Sequence, residues 1–171
     1  MDYIGTEYAY ARSQGWVQDF IAAGKDYEFE PSLLMGIASR ETNMRNIIGD
    51  GGHGYGLTQI DDRSHPAFCH SGQWRNPALV IHTGASILDA ARTKIEKSQG
   101  LPMHIGGWSF VGKAISGAAL LRCAVAAYNC GLWAYYCYSR GEDPDRLTTG
   151  HNYSADVLRR SAEFDKLMKG A

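Results

Sequence analysis

The chain has 171 residues, a length that suits one domain with a hydrophobic core large enough to fold without crosslinks. Its 17 Lys and Arg nearly balance its 18 Asp and Glu, so the net charge is −1. This balance excludes a strong electrostatic site for nucleic acid or for an anionic membrane surface. We therefore expect one domain over residues 1–171, a monomer, with no nucleic-acid partner and no membrane partner.

The first sixteen residues, MDYIGTEYAYARSQGW, have neither the basic n-region nor the apolar h-region of a signal peptide, so we expect none in this chain. The protein is then cytosolic at synthesis, exported by another route, or a mature form given a start Met. The longest apolar run, residues 114–138, is interrupted by Arg122, Asn129 and Gly131. These interruptions indicate a core helix and its exit loop rather than a membrane span.

Two helices are predicted in the first part of the chain. Residues 8–23 have apolar side chains at helical spacing. The next helix begins at Pro31, because the missing N–H of a proline costs nothing at the first helical position. Leu34, Ile37 and Glu41 then follow at spacings of three and four residues, which places Glu41 on or beside the buried stripe of this helix.

Glu41 is the titratable side chain of this predicted stripe, whereas the neighbouring Arg40 is turned about 100° away from it. A carboxyl group that faces apolar side chains is harder to ionise, so we expect a raised pKa for Glu41. The alternative is a helix-end glutamate that is simply solvated.

A glycine-rich segment follows, with five glycines in residues 49–56, a content that neither a helix nor an ordinary strand tolerates. An Asp-Gly pair at 50–51 is a turn signal, and the spacing of Tyr55, Leu57 and Gln59 suits a short strand. We therefore expect a small β-hairpin or three-stranded β element. The segment lacks the GxxxxGK pattern, and the GxGxxG pattern followed by a helix, that bind phosphates.

Two aspartates, Asp50 and Asp61, flank most of this segment. One acid on an apolar stripe and other carboxylates held in a polar loop form the arrangement that hydrolysis of a glycosidic bond requires. Glu41, Asp50 and Asp61 are therefore the candidate catalytic residues. The alternative for the aspartates is that they only satisfy backbone amides of turns, as Asp often does.

The second half of the chain is predicted to be helical, with polar or glycine-rich loops between the helices. One helix opens at Asn76-Pro77, where a capping residue precedes a proline. Residues 100–112 are expected to form a loop, and the small apolar side chains of residues 113–128 predict a helix through the middle of the domain. A polar loop over residues 139–151 and a last helix over residues 153–168 follow. The predicted fold class is α+β and predominantly α-helical.

The four cysteines leave several pairings open. On one continuous helix the Cα atoms of Cys123 and Cys130 would lie about 10 Å apart, too far for a disulfide. Cys130 and Cys137 could form a disulfide only if Gly131 turns the chain, and Cys69 could pair with any of the other three.

His65, Cys69 and His70 are conceivable zinc ligands, but no CxxC accompanies them. We expect no metal and no cofactor.

From Phe29 to its end the chain resembles the goose-type lysozymes, glycoside hydrolases that cleave the glycan strands of peptidoglycan. The resemblance implies a lysozyme-like domain and hydrolysis of the β-1,4 bonds between N-acetylmuramic acid and N-acetylglucosamine. It is carried by four segments in the same order: PSLLMGIASRET, GDGGHGYGLTQIDDRSH, AYNCG and HNYSADVLRR.

The resemblance implies a role for each matching residue. Glu41 is the general acid, and Asp50 or Asp61 holds a water on the opposite face of the sugar as general base, so that the anomeric centre inverts. The remaining residues are implied to bind substrate. They are Gln59 and His65 from the segment GDGGHGYGLTQIDDRSH, Tyr128 and Asn129 beside the scissile bond, and Tyr153 near the catalytic glutamate.

Three other functions remain open: hydrolysis of chitin, lytic transglycosylation, and glycan binding without catalysis. Some microbial relatives act on chitin, which has the same β-1,4 N-acetylglucosamine linkage. Lytic transglycosylation uses a lone glutamate and no water, and the two aspartates argue against it. A non-catalytic glycan-binding module would be expected to lack the glutamate. A substrate of this kind, peptidoglycan or a chitin-like glycan, implies an extracellular protein, secreted or released by lysis.

Overall fold

The computed structural model describes residues 3–170, an α+β fold dominated by helices, with one three-stranded and one two-stranded antiparallel sheet. This result confirms the predicted fold class. Residues 1, 2 and 171, the ends of the predicted 1–171 domain, lie outside the described residues. The described residues form two compact units, a first unit of residues 3–86 and 157–170 and a second unit of residues 87–156.

The first unit contains most of the helices and the three-stranded sheet. Two long helices, α5 (Pro77–Lys97) and α8 (Tyr153–Lys169), have residues in both units. The described elements of the first unit are α1 (Tyr3–Ser13), α2 (Trp16–Tyr27), α3 (Pro31–Thr42), β1 (Ile48–Gly49), the 3-10 turn Asp50–Gly52, β2 (Gly54–Tyr55), β3 (Ile60–Asp61), α4 (Pro66–His70), the 3-10 turn Gln73–Arg75, the start of α5 and the end of α8.

The predicted helix over residues 8–23 is wrong in one respect, because the structure divides it between α1 and α2. Gly15 lies between these helices with φ of 77°, in the left-handed region that favours glycine. Helix α3 begins at Pro31, as predicted, and every residue from 32 to 39 is buried. It therefore runs through the interior of the first unit.

The predicted three-stranded β element is present, with strand order β1-β2-β3. The prediction that Tyr55, Leu57 and Gln59 belong to one strand is wrong. Strand β2 ends at Tyr55, and a turn follows in which the N–H of Gln59 donates to the carbonyl of Gly56 at 3.1 Å. Leu57 is fully buried, so its apolar character reflects insertion into the core rather than a strand.

The second unit differs from the prediction at three places. Residues 100–112 form a hairpin rather than a loop, the apolar helix begins at residue 117 rather than 113, and a further helix follows it. The described elements are the rest of α5, which opens at Pro77 as predicted, β4 (Pro102–Ile105), β5 (Trp108–Val111), α6 (Gly117–Cys130), α7 (Trp133–Ser139), the 3-10 turns Pro144–Leu147 and Thr149–His151, and the start of α8.

All four cysteines are free thiols. Burial raises the pKa of Cys123 to about 12 and that of Cys130 to about 11, so neither is ionised near neutral pH. Within residues 3–170, no three His, Cys, Asp or Glu side chains are grouped so as to hold a metal ion. None of the helices in this part of the chain is long and apolar enough to cross a membrane.

Candidate active site

Glu41 lies in the last turn of α3, and its side chain is half-buried. The helix ends one residue later, because Asn43 and Met44 both adopt positive φ angles, 50° and 58°. Two consecutive non-glycine residues in this region are uncommon, and they are retained only where the surrounding structure requires them. The chain therefore turns sharply away directly after Glu41.

The end of α3 is fixed to the glycine-rich segment through Leu57. The Oγ1 atom of Thr42, the residue after Glu41, lies 3.0 Å from the carbonyl oxygen of Leu57. The Leu57 N–H donates to Oδ1 of Asn46 at 3.0 Å. The carbonyl and the N–H of the buried Leu57 thus contact the side chains of Thr42 and Asn46, both of which follow Glu41 in the chain. These two contacts fix the end of α3 against the β element.

A buried polar network fixes the middle of α3 to α1 and α8. The Ser39 hydroxyl donates to the carboxylate of Glu7, and the guanidinium of Arg160 donates to the Ser39 Oγ at 2.8 Å. Burial raises the pKa of Glu7, although the Ser39 hydrogen bond and the Arg160 charge oppose that shift. The helix that carries Glu41 is therefore held on two sides.

The sheet brings the two aspartates into one cluster. Gly49 of β1 pairs with Gly54 of β2, which pairs with Asp61 of β3. Since neighbouring strands lie about 4.8 Å apart, Gly49 and Asp61 are separated by about 10 Å, and Asp50 follows Gly49 directly. Arg63 spans this gap: its Nη2 lies 3.3 Å from Oδ2 of Asp50, and its Nε lies 2.8 Å from Oδ1 of Asp61.

Arg63 also shifts the pKa of Asp61. The backbone N–H of Arg63 donates to the same Oδ1 atom at 3.0 Å. Hydrogen bonding from the Arg63 guanidinium lowers the pKa of Asp61, and the opposing effect of burial does not cancel it. Sequence reasoning missed Arg63, and its only local signal is a cation two residues after Asp61.

The next residue, Asp62, has different partners from Asp61. Its Oδ1 lies 2.9 Å from Nδ1 of His53, and its Oδ2 lies 3.2 Å from Nε2 of His70. The hydrogen bond with His53 lowers the pKa of Asp62. The two adjacent carboxylates therefore have separate partners: Asp62 contacts the two histidines, and Asp61 contacts Arg63.

Gln59, expected to bind substrate, has a structural role in this segment. Its Nε2 donates to the carbonyls of Gly56 at 2.9 Å and Ile47 at 3.2 Å. Its amide lies over Gly49 and Gly54, where a Cβ atom on either glycine would clash with Oε1. This fit explains why glycine occupies both positions.

His65 lies at the end of the same segment. Its side chain is half-buried, and its backbone N–H donates to the Asp61 carbonyl at 2.9 Å. Pro66 begins α4 directly after it, with its missing N–H at the first helical position.

The other expected substrate-binding residues lie in the second unit. Tyr128 is half-buried in the last turn of α6, and the Asn129 side chain accepts a hydrogen bond from the Thr149 N–H at 2.8 Å. Tyr153 is 2% exposed and is the first residue of α8. Its backbone N–H donates to Oγ1 of Thr148 at 3.2 Å.

Asp145 fixes the start of α8. Its carboxylate accepts from the Ser154 N–H and hydroxyl, each at 2.7 Å, and from the Ala155 N–H at 3.0 Å. Burial would raise the pKa of Asp145, but these hydrogen bonds and the charge of Arg122 outweigh it and hold the pKa below its usual value. Asp145 therefore supports the helix that begins with Tyr153.

The family model described as Lysozyme g matches residues 10–167. The chain belongs to the lysozyme g family. The emu Dromaius novaehollandiae has a lysozyme G that is 31% identical over 139 residues, which cover 79% of this chain and 58% of that protein. Lysozyme g of Gallus gallus is also 31% identical, over 79% of this chain and 56% of its own length. Lysozyme g of Cyprinus carpio is 26% identical over 92% of this chain and 77% of its own length.

The lysozyme g match confirms the resemblance inferred from four sequence segments. It also extends further toward the N-terminus, from residue 29 to residue 10. The chain nevertheless spans less than two thirds of the emu and chicken lysozymes g.

Proposed function

We propose that this chain is a glycoside hydrolase that cleaves the β-1,4 bonds between N-acetylmuramic acid and N-acetylglucosamine in peptidoglycan. The observation that carries the proposal is the Arg63-bridged pair of carboxylates, Asp50 and Asp61, in the unit whose helix α3 carries Glu41 in its last turn. Membership of the lysozyme g family supports it independently.

The proposed mechanism assigns one step to each type of carboxyl group. Glu41, protonated, donates its proton to the glycosidic oxygen as the bond to the anomeric carbon breaks. The carboxylates of Asp50 and Asp61 hold a water on the opposite face of the sugar, and one of them takes its proton as the water attacks. A β-linked substrate then gives an α-anomer, with about 6.5–9.5 Å between the acid and the base.

The aspartate pair is what separates hydrolysis from lytic transglycosylation. A transglycosylase needs no water, so it has no use for two carboxylates that one guanidinium holds in a single cluster. The Arg63 guanidinium offsets the repulsion between the two negative charges. The cluster therefore suits the binding of one water between two acceptors.

The substrate-binding roles of Gln59, His65, Tyr128, Asn129 and Tyr153 are part of the same proposal. We also propose that the protein acts outside the cell as a monomer without a cofactor, on glycan rather than on nucleic acid or membrane. The near-neutral charge of the chain supports a glycan partner over nucleic acid or an anionic membrane.

The decisive experiment identifies the products. Peptidoglycan and chitin oligosaccharides are digested separately, and the first-formed anomer is read by NMR before mutarotation. We expect an ordinary reducing end, initially α, with peptidoglycan the better substrate. A 1,6-anhydro product would refute hydrolysis, and an initial β-anomer would refute the water-holding role of the aspartates. Turnover of chitin alone would support hydrolysis of a β-1,4 bond but would refute peptidoglycan as the substrate.

The role of Glu41 is tested by Glu41→Gln, which keeps the shape of the side chain but has no proton to donate. General acid catalysis contributes about 10²–10⁴-fold, so turnover should fall by that factor while the melting temperature stays unchanged. Glu30→Gln is the matched control, because Glu30 is an exposed residue just before the same helix. Equal activity of both variants would contradict the assignment of Glu41.

A further inference from the structure

Arg63 contacts both Asp50 and Asp61, the two carboxylates that hold the attacking water in the proposed mechanism. Two of its N–H groups donate to Oδ1 of Asp61, one from the guanidinium and one from the backbone, and a third N–H faces Oδ2 of Asp50. Because both bonds to Asp61 go to the same oxygen, they fix the rotation of its carboxylate and leave the lone pairs of Oδ2 for another donor.

Arg63 is the cation that contacts both Asp50 and Asp61. The other titratable side chains of residues 50–70 are Tyr55, Asp62, Cys69 and the three histidines His53, His65 and His70. Of these histidines, His53 and His70 both contact Asp62. The guanidinium has the planar, forked geometry that can contact two carboxylates at once, which the ammonium group of a lysine cannot reproduce.

We propose that Arg63 is a positioning residue of the reaction, which fixes the spacing and orientation of Asp50 and Asp61 while they hold the attacking water. The inference rests on the proposed function. It gives Arg63 no contact with the reacting atoms, so its effect passes through the two aspartates.

This role has a consequence for pH dependence whose sign follows from the structure. Hydrogen bonding from Arg63 lowers the pKa of Asp61, so that Asp61 stays ionised to a lower pH than an ordinary aspartate. Removal of the guanidinium lets this pKa rise. The acid limb of the activity profile must then move to higher pH, whereas a residue with a merely structural role would lower activity equally at every pH.

The test compares three variants of the full chain on soluble peptidoglycan fragments, with kcat and KM measured from pH 3 to 9. Arg63→Gln should lower kcat by roughly 10- to 100-fold, as expected for a misplaced reacting group, with little change in KM and an acid limb at higher pH. Arg63→Lys keeps the charge and loses the fork, so its acid limb should stay closer to the parent's while kcat still falls.

Arg12→Gln is the matched control, because it removes one positive charge from α1, where Arg12 lies over the ring of Tyr8. It should leave kcat, KM and the acid limb unchanged. A higher KM with unchanged kcat in Arg63→Gln would overturn the proposal, because Arg63 would then bind substrate. An unmoved acid limb would overturn it as well.

A second measurement tests the effect of Arg63 on the two aspartates without measuring turnover. The ¹³C chemical shifts of the Asp50 and Asp61 carboxyl groups are titrated in the parent and in both Arg63 variants. The Asp61 pKa should rise in Arg63→Gln, and an unchanged value would overturn the proposal. If the parent and Glu41→Gln release reducing ends equally, the proposed function fails, and the titration still tests whether Arg63 keeps Asp61 ionised.

Discussion

Replacement of Asp145 by Asn should destabilise the protein far more than a surface substitution would. The side chain of Asp145 is 2% exposed, and each of its oxygens accepts a backbone N–H, Oδ1 from Ser154 and Oδ2 from Ala155. An asparagine amide places its NH2 group against one of these donors whichever way it is turned. One buried donor is therefore left without an acceptor, and the charge opposite Arg122 is lost.

The magnitude follows from these contacts. A buried donor without an acceptor costs about 1–3 kcal/mol, and loss of a charge-assisted hydrogen bond adds a similar amount, so we expect Asp145→Asn to cost about 2–6 kcal/mol. Asp143→Asn is the matched control, because Asp143 also contacts Arg122 but its side chain is 56% exposed. Asn remains a good capping residue at that position, so the control should cost less than about 1 kcal/mol.

The assay is urea unfolding of the parent and both variants at pH 7 and pH 3, followed by far-UV circular dichroism. The pKa of Asp145 is lowered in the folded state, so the ionised carboxylate stabilises the protein above about pH 3.9, its unfolded value. That contribution is lost as the pH falls through the folded pKa. The difference between parent and Asp145→Asn should therefore shrink at pH 3. Equal losses in the two variants at pH 7 would refute the reasoning.

Two further predictions concern the sheet and the cysteines. Gly54→Ala should lower the free energy of unfolding by about 1–3 kcal/mol in urea titrations and reduce turnover, because its Cβ displaces the Gln59 amide from its two carbonyl partners. A gain in stability would contradict that packing. Dithiothreitol should leave the melting temperature unchanged, and a thiol reagent should count four thiols in denaturant, because all four cysteines are free; a count of two would reveal a disulfide.

The parts of the fold that sequence alone determined are those with a strong local signal. Pro31 and Asn76-Pro77 marked the starts of α3 and α5, because a proline at the first helical position needs no neighbours to take effect. The five glycines of residues 49–56 excluded a helix for the same local reason, and the fold has a three-stranded sheet there. Spacing also placed Glu41 at the end of a buried helix.

The errors arose where a local pattern had two structural solutions. The alternation of Tyr55, Leu57 and Gln59 suits a strand, but burial of Leu57 within a turn produces the same alternation. The sequence pattern predicts a loop where residues 102–111 form a hairpin, because the Gly106-Gly107 turn and its short strands leave little apolar periodicity to detect. In both cases, packing against distant residues decided between the solutions.

The contacts that organise the candidate site were decided by tertiary structure. Glu41, Asp50 and Asp61 could be proposed from residue type and order, but the bridge that joins the two aspartates exists only because the sheet register sets them within reach of Arg63. Asp145 likewise supports a helix that begins eight residues later, through hydrogen bonds that no propensity encodes. Sequence fixes which groups are present and their local conformation. Their partners, and the pKa shifts that the partners cause, depend on distances that only the folded chain defines.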